Sequence, residues 1–288
     1  MERNDRYIPG VPCWIDTTQS DPDTGAAFYA ELFGWELEDS MPPGSPGKYY
    51  AARLRGQDVA AVSSQPEGAP REAVWNTYVW VQDVDETAAK VRAADGAVLT
   101  EPFDLGDAGR MATVADPAGA AFCVWQANTH RGAAIVNEHG SLNFNNLNTR
   151  ELDGAQAFYG AVFGWELIHG SFWALPGYGD FLEQRNPGMR EGMADMGAPA
   201  RFEDVVASVS LTPDVAPHWG VTFAVDDAYA IAARAAELGG TVAVPPFDAP
   251  WVRMAVISDP QGATFTASKF VPENKHLAQD AGTSTAGR

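Results

Sequence analysis

The sequence predicts an α+β fold built from four tandem β-α-β-β-β units grouped as two domains, and three observations carry that prediction. The first is an internal repeat: residues 27–37, AFYAELFGWEL, return 130 positions later as residues 157–167, AFYGAVFGWEL, with eight of eleven letters the same. Self-similarity of that quality marks a duplicated structural unit. The second is another pair of segments, RMATVADPAGAAFCVW and RMAVISDPQGATFTAS, which align Arg110 with Arg253 and Asp116 with Asp259 at an offset of 143. The third is length: 288 residues suffice for two domains of about 130 to 145 residues, each able to bury its own core.

In the first repeat, Phe28, Leu32 and Phe33 share one face at helical period, and Phe158, Val162 and Phe163 restate it, so each copy reads as a short amphipathic helix. Gly34 and Gly164 suit the left-handed residue that closes a helix, and Trp-Glu-Leu then opens a strand. Before the first helix, residues 11–18 (VPCWIDTT) read as a strand with Trp14, Asp16 and Thr18 on one face. After it, strands are predicted over 35–38, 48–54 and 58–63, separated by the turn-rich MPPGSPG and by Arg55-Gly56. A polar connector, 64–73, leads into a second unit of the same order: a strand at 76–81, a helix at 85–94 closed by Gly96, and strands at 98–101, 110–115 and 121–126.

Residues 127–140 (ANTHRGAAIVNEHG) carry no period and place the boundary between a domain at 1–130 and a second at 131–274. The pattern restarts at 142–148 (LNFNNLN), pairing Trp14 with Phe144, Asp16 with Asn146 and Thr18 with Asn148. Strands are predicted over 165–169, 178–185 and 192–196, and the fourth unit runs from Trp219 in the order of the second. Beyond Phe270 the chain turns polar and small, and a flexible tail is expected at 275–288.

Asp and Glu outnumber Lys and Arg by 38 to 19, for a net charge of −19; phosphate backbones and anionic lipid surfaces are repelled, so nucleic acid and membrane are not expected partners. No stretch approaches the roughly 20 apolar residues of a membrane span, and MERNDRYIPGVPCW lacks the apolar run of a signal peptide. The expectation is a cytoplasmic protein, monomer or homodimer. Cys13 and Cys123, the two cysteines, read as buried thiols rather than a disulfide framework or zinc site. There is no G-x-S-x-G elbow, Walker loop, HExxH or helix-opening GxGxxG, which removes the chemistries those motifs serve.

Four such units in tandem, a helix running into FGWEL and a terminal D-P-x-G-x-x-F turn resemble the vicinal oxygen chelate superfamily, the fold of glyoxalase I, bleomycin-resistance proteins and extradiol dioxygenases. The resemblance spans residues 8–271 and is nearest to bacterial two-domain glyoxalase-like proteins, whose first strand reads P-x-W-x-D, here Pro12 to Asp16. It implies two units paired to curl a mixed sheet around a cavity, once per domain. Metal-dependent members hold a divalent ion with His and Glu from the cavity side of strands, leaving positions open for substrate. Carried over by motif spacing, those positions fall on Trp14, Ala60 or Ala61, Thr77 and Cys123 in domain one, and on Phe144, Ala194 or Asp195, Gly220 and Thr266 in domain two. Only Asp195 is a hard ligand, so no metal and no other cofactor is expected. A register slip would bring His218 beside Asp195; otherwise His218 is an imidazole at a strand start near solvent.

What the resemblance leaves is a shaped, mostly apolar container. Trp14 and Phe144 are its candidate aromatic anchors, with Trp80, Trp125 and Trp219 as further candidates, although a tryptophan on the helix side of a sheet gives the same pattern. Stacking a flat conjugated ligand gains of order 1 kcal/mol per ring beyond burial. Asp16, Thr18, Asn146 and Asn148 share the anchors' face, where amides both donate and accept to quinone or phenol oxygens. Thr77, Cys123, Thr266, His218 and Trp219 complete the candidate lining. The sequence therefore predicts a metal-free binder of a small hydrophobic, aromatic or polycyclic metabolite or antibiotic. Two alternatives stay open: a metal-independent enzyme of secondary metabolism with Asp16 or Asp195 as general base, and a metal-dependent lyase or dioxygenase with displaced ligands. Arg110 and Arg253 are read as salt-bridge residues ahead of anion ligands.

Overall fold

The computed structural model describes residues 6–66, 68 and 72–278; part of the 64–73 connector and residues 279–288 of the expected tail lie outside them. Module one runs β1 (Pro12–Gln19), α1 (Pro22–Phe33), β2 (Glu36–Asp39), β3 (Tyr49–Leu54), β4 (Gln57–Ser64). Module two runs β5 (Val74–Trp80), α2 (Val84–Ala93), β6 (Ala97–Asp104), β7 (Gly109–Ala115), β8 (Ala121–Ala127). Module three holds β9 (Ser141–Thr149), α3 (Leu152–Phe163), β10 (Glu166–Ile168), β11 (Phe172–Ala174), α4 (Tyr178–Arg185), α5 (Met189–Met196) and β12 (Val205–Leu211). Module four closes with β13 (His218–Ala224), α6 (Ala228–Glu237), β14 (Thr241–Ala249), β15 (Val252–Ser258) and β16 (Thr264–Phe270). Two eight-stranded mixed sheets follow the same order, β2-β3-β4-β1-β5-β8-β7-β6 and β10-β11-β12-β9-β13-β16-β15-β14. Among the described residues no helix is long and apolar enough to cross a membrane.

The modules regroup into two compact units. A middle unit takes the chain up to Trp14, Asn76–Gly132 and Phe144–Gly220, which is essentially modules two and three; a terminal unit takes Ile15–Trp75, Ala133–Asn143 and the chain from Val221, modules one and four. In the terminal unit α1 packs on α6, and Phe28, Tyr29, Leu32 and Phe33 join Trp35, Trp75, Phe223 and Phe265 in one buried cluster. The helix ends obey local rules. Asp21 accepts from Thr24 N as N-cap and Glu151 does the same for Gly154 N, while Gly34 at φ 71° and Gly164 at φ 74° close α1 and α3 in the left-handed conformation.

Both sequence signatures meet inside these cores. In the terminal unit Tyr29 Oη donates to Asp259 Oδ2 at 2.9 Å and accepts from Trp75 Nε1 at 3.1 Å, while Gln19 Nε2 donates to the same carboxylate oxygen at 2.6 Å. In the middle unit Tyr159 Oη donates to Asp116 Oδ2 at 3.1 Å and accepts from Trp219 Nε1 at 3.0 Å. The tyrosine of each AFY helix thus serves the aspartate of a D-P-x-G turn from the module it packs against. Burial pushes Asp116 above the usual carboxylate range and Tyr29 and Tyr159 well above the phenol range. The Phe of each AFY helix also has a matched seat. A Cβ on Gly96 would lie 2.6 Å from Phe158 Cε2, and one on Gly240 3.2 Å from Phe28 Cε2, so a residue without one stands at both places.

Module three departs from the expectation. Residues 178–185 and 192–196 form no strands; they lie in α4 and α5, and the missing strands are β11 and β12. Tyr178, Phe181 and Leu182, then Met189, Met193 and Met196, recur at helical spacing, and that period prevails over the strand reading. Residues 175–204 therefore fill the place of a two-residue turn, Arg55-Gly56, in module one. Pro272–His276 makes a short 3-10 helix, and Asn274 Nδ2 donates to Asp248 Oδ1 and Val252 O, both at 2.9 Å.

Candidate ligand-binding face

In the middle unit one face of β9, β12 and the start of β13 collects the most chemistry. Alternation along β9 turns Asn145, Leu147 and Thr149 into the core, all fully buried, and leaves Phe144, Asn146 and Asn148 half-buried on the other side. Parallel pairing sets Ser208 opposite Asn146 and Ser210 opposite Asn148. The Oγ atoms of Ser208 and Ser210 donate to Asn146 Oδ1 at 2.7 and 3.2 Å. Asn148 Nδ2 donates to His218 Nε2 at 3.2 Å, and His218 Nδ1 lies 2.8 Å from Ala216 O. A carbonyl only accepts, so Nδ1 carries the hydrogen and Nε2 presents its lone pair. Phe144 meets Phe172 edge-on at 6.4 Å, and Phe172 meets Phe202 at 5.3 Å. The result is an aromatic edge beside a row of oriented amides.

The other predicted residues of this unit form a closed cluster. Trp14 lies edge-on to the His130 ring at 4.4 Å, Trp125 Nε1 donates to His130 O at 3.1 Å, and Trp80 stacks on Tyr7 at 6.1 Å. Trp14 is 3 % exposed and Trp125 4 %, and both rings meet that of His130 edge-on. Cys123, opposite Tyr78, is buried with its Sγ 3.8 Å from Thr113 Oγ1. Cys13 is likewise a buried free thiol, pushed up by that burial. Thr77 and Trp219 correct the expectation: both turn to the core, where Thr77 Oγ1 accepts from Asn145 Nδ2 at 2.7 Å and Trp219 donates to Tyr159. Asp195 corrects it too, standing exposed on α5 rather than on a strand.

In the terminal unit Asp16 faces Ala61 and Thr18 faces Ser63 across the parallel β1–β4 pair, and Asp16 is 3 % exposed. Thr266 is half-buried, opposite Thr222 on one side and Val256 on the other. Arg253 pairs with Asp248 here, as Arg110 does with Asp104 and Asp85 in the middle unit. A polar cleft of about 500 Å³ in this unit, lined by Arg55, Glu138, His139, Asp226 and Lys269 among others, holds none of the predicted residues.

The positions that carry ligands in metal-dependent relatives do not fit a divalent ion. Trp14 and Phe144 offer no donor. The residue opposite Asn146 is Ser208, the counterpart of Ala61 opposite Asp16; Thr77 turns to the core, and the Cys123 thiol lies against Thr113 Oγ1. Among the described residues no three His, Cys, Asp or Glu side chains come together to hold an ion.

The family model described as "Glyoxalase/Bleomycin resistance protein/Dioxygenase superfamily" matches residues 14–124 and 141–266. The chain is 43 % identical to "Putative glyoxylase CFP32" of Mycobacterium bovis, over 95 % of this chain and all of that one. It is 34 % identical to "Anthracycline biosynthesis protein DnrV" of Streptomyces peucetius, over 91 % of this chain and 94 % of that one. Among solved structures, the 2,3-dioxygenase LapB of Pseudomonas sp. KL28 superposes with a TM-score of 0.59 at 13 % identity, covering 91 % of this chain and 93 % of that one. The Mn(II)-bound glyoxalase of Novosphingobium aromaticivorans gives 0.57 at 17 % identity, covering 91 % and 83 %. At such identities the two structures speak to the fold alone.

Proposed function

Because this chain belongs to the glyoxalase/bleomycin resistance protein/dioxygenase superfamily, we propose that it binds a small, flat, aromatic metabolite on the Phe144–Asn146–Asn148 face and does so without a divalent ion. The observation that carries the reading is the contrast between the two copies of one strand. Trp14 is buried against the His130 ring, whereas Phe144 and the two asparagines are half-buried, with their amides held by Ser208, Ser210 and His218. An apolar ring beside oriented polar groups is what orients a ligand in a small-molecule site. Module three is also the one with the long 175–204 insertion, so elaboration and open face coincide. The Streptomyces peucetius relative, named for anthracycline biosynthesis, supports a role in secondary metabolism.

The test is titration of the full chain with a panel of aromatic metabolites followed by tryptophan fluorescence. Binding should weaken in Phe144→Ala and stay unchanged in Asp195→Ala; a ligand indifferent to Phe144 defeats the proposal. Elemental analysis of protein purified without chelator should find substoichiometric metal, and one iron, zinc or manganese per chain would overturn the metal-free part.

An enzymatic reading draws on Asp16, a buried carboxylate at the position of β1 that matches Asn146 of β9. Conversion of a bound compound that is lost in Asp16→Asn would establish it.

A further inference from the structure

We propose that the face selects ligands carrying two oxygens at opposite edges of an aromatic ring, an acceptor read by Asn146 and a hydroxyl donor read by Asn148. This rests on the aromatic-ligand reading above and adds its substrate class. Two hydroxyls occupy Asn146 Oδ1, so both lone pairs of that oxygen are engaged and the amide cannot present it to a guest. The NH2 end is what remains. At Asn148 the order reverses. The Ala216 carbonyl fixes the hydrogen on His218 Nδ1, the Nε2 lone pair takes the Asn148 NH2, and Oδ1 is the end left over. Among the described residues neither Asn146 Nδ2 nor Asn148 Oδ1 has a hydrogen-bond partner.

The face therefore offers one donor and one acceptor, on residues two apart along a strand. That separation is about 6.6 Å between backbones. Oxygens on adjacent ring carbons lie far closer than this, whereas a carbonyl and a hydroxyl placed para to each other span it. A Cβ at Gly220 would lie 3.5 Å from Asn148 Nδ2; the glycine keeps the floor beside the amides low enough for a ring to lie over them.

The probes are 4-hydroxyacetophenone, 4-methoxyacetophenone without the donor, 4-ethylphenol without the carbonyl, and 2-hydroxyacetophenone with the oxygens adjacent. Each is titrated into the full chain by ligand-observed NMR. The para hydroxy-ketone should bind about three- to tenfold more tightly than each of the others, the range one net hydrogen bond supplies. Asn148→Leu should erase the preference for hydroxyl over methoxy and keep that for ketone over ethyl; Asn146→Leu should do the reverse. Should Asn146→Leu fail to fold, the Ser208→Ala/Ser210→Ala double variant frees the amide to rotate and should lower the ketone preference alone. Equal affinity for all four probes, still weakened by Phe144→Ala, overturns the two-oxygen code and leaves the aromatic reading standing. No binding of any probe refutes both.

Discussion

Replacing Tyr159 by Phe deletes a single oxygen from a fully buried ring, so no appreciable cavity forms and the cost is almost wholly polar. That oxygen is the recorded partner of both Asp116 Oδ2 and Trp219 Nε1. Stranding a buried polar group costs about 1–3 kcal/mol, more for a charged one, so the variant should lose about 2–6 kcal/mol. The matched change Tyr29→Phe strands Trp75 Nε1 only, because Gln19 Nε2 still donates to Asp259 Oδ2; its loss should be about 1–3 kcal/mol. Urea unfolding followed by tryptophan emission measures both, each variant shifting the transition of its own unit. The pH dependence supplies a second reading. Tyr159 is among the groups that lower the Asp116 pKa, which burial has already raised above 3.8, so the variant raises it further. A folded-state carboxyl with a raised pKa loses stability as pH climbs through the window above 3.8, so the deficit of Tyr159→Phe should grow from acid toward neutral pH. A Tyr29→Phe loss equal to or larger than that of Tyr159→Phe, or a Tyr159→Phe deficit that shrinks with rising pH, refutes this account of the two cores.

Three further outcomes are expected. Gly96→Ala puts a Cβ 2.6 Å from Phe158 Cε2 and 2.8 Å from Ala115 O, and should cost about 1–3 kcal/mol by overpacking; Gly192→Ala, in α5 with nothing within 4 Å, should instead stabilise by about 0.5–1 kcal/mol. Thermal melts of the pair distinguish crowding from backbone entropy by their opposite signs. Asn274→Ala removes both hydrogen bonds that tie the last turn to β14 and β15, and hydrogen exchange should speed up across 271–278 while β9 stays protected. Asp116→Asn removes the raised carboxyl, so its stability relative to the unchanged chain should improve as pH rises above 3.8; a flat difference between the two would count against the assignment.

Most of the fold is legible in the residues. The AFY helices, their closing glycines and the period-two strands need only local chemistry, and the structure follows them closely outside module three. There the helical period of 178–196 competes with the strands the repeat calls for, and until those residues are set aside as an insertion Ser208 cannot be aligned with Ala61, so the serines that orient Asn146 stay hidden. Thr77 and Trp219 fail for other reasons. β5 buries residues on both faces, which removes the polar–apolar contrast that tells one side from the other; β13 does alternate, with Trp219, Val221 and Phe223 buried, and there the reading of tryptophans as pocket walls outweighs a register that marks Trp219 as core. Phe144, Asn146 and Asn148 are readable because β9 keeps that contrast. The partnership of each AFY tyrosine with a D-P-x-G aspartate is not: a repeat shows which segments are alike, not which ones pack together.

The pairing of first module with last has a consequence at the ribosome. Modules two and three are neighbours in the chain, so the middle unit has its core residues as soon as β12 and the first turn of β13 emerge. The nascent α1, by contrast, carries Phe28, Tyr29 and Phe33 with no α6 to cover them until Ala228–Glu237 is made. A ribosome stalled before Val221 holds a chain whose Tyr29 lacks the Asp259 carboxylate and whose Phe33 lacks Phe223 and Phe265, so those rings stay open to water or to whatever apolar surface they meet first.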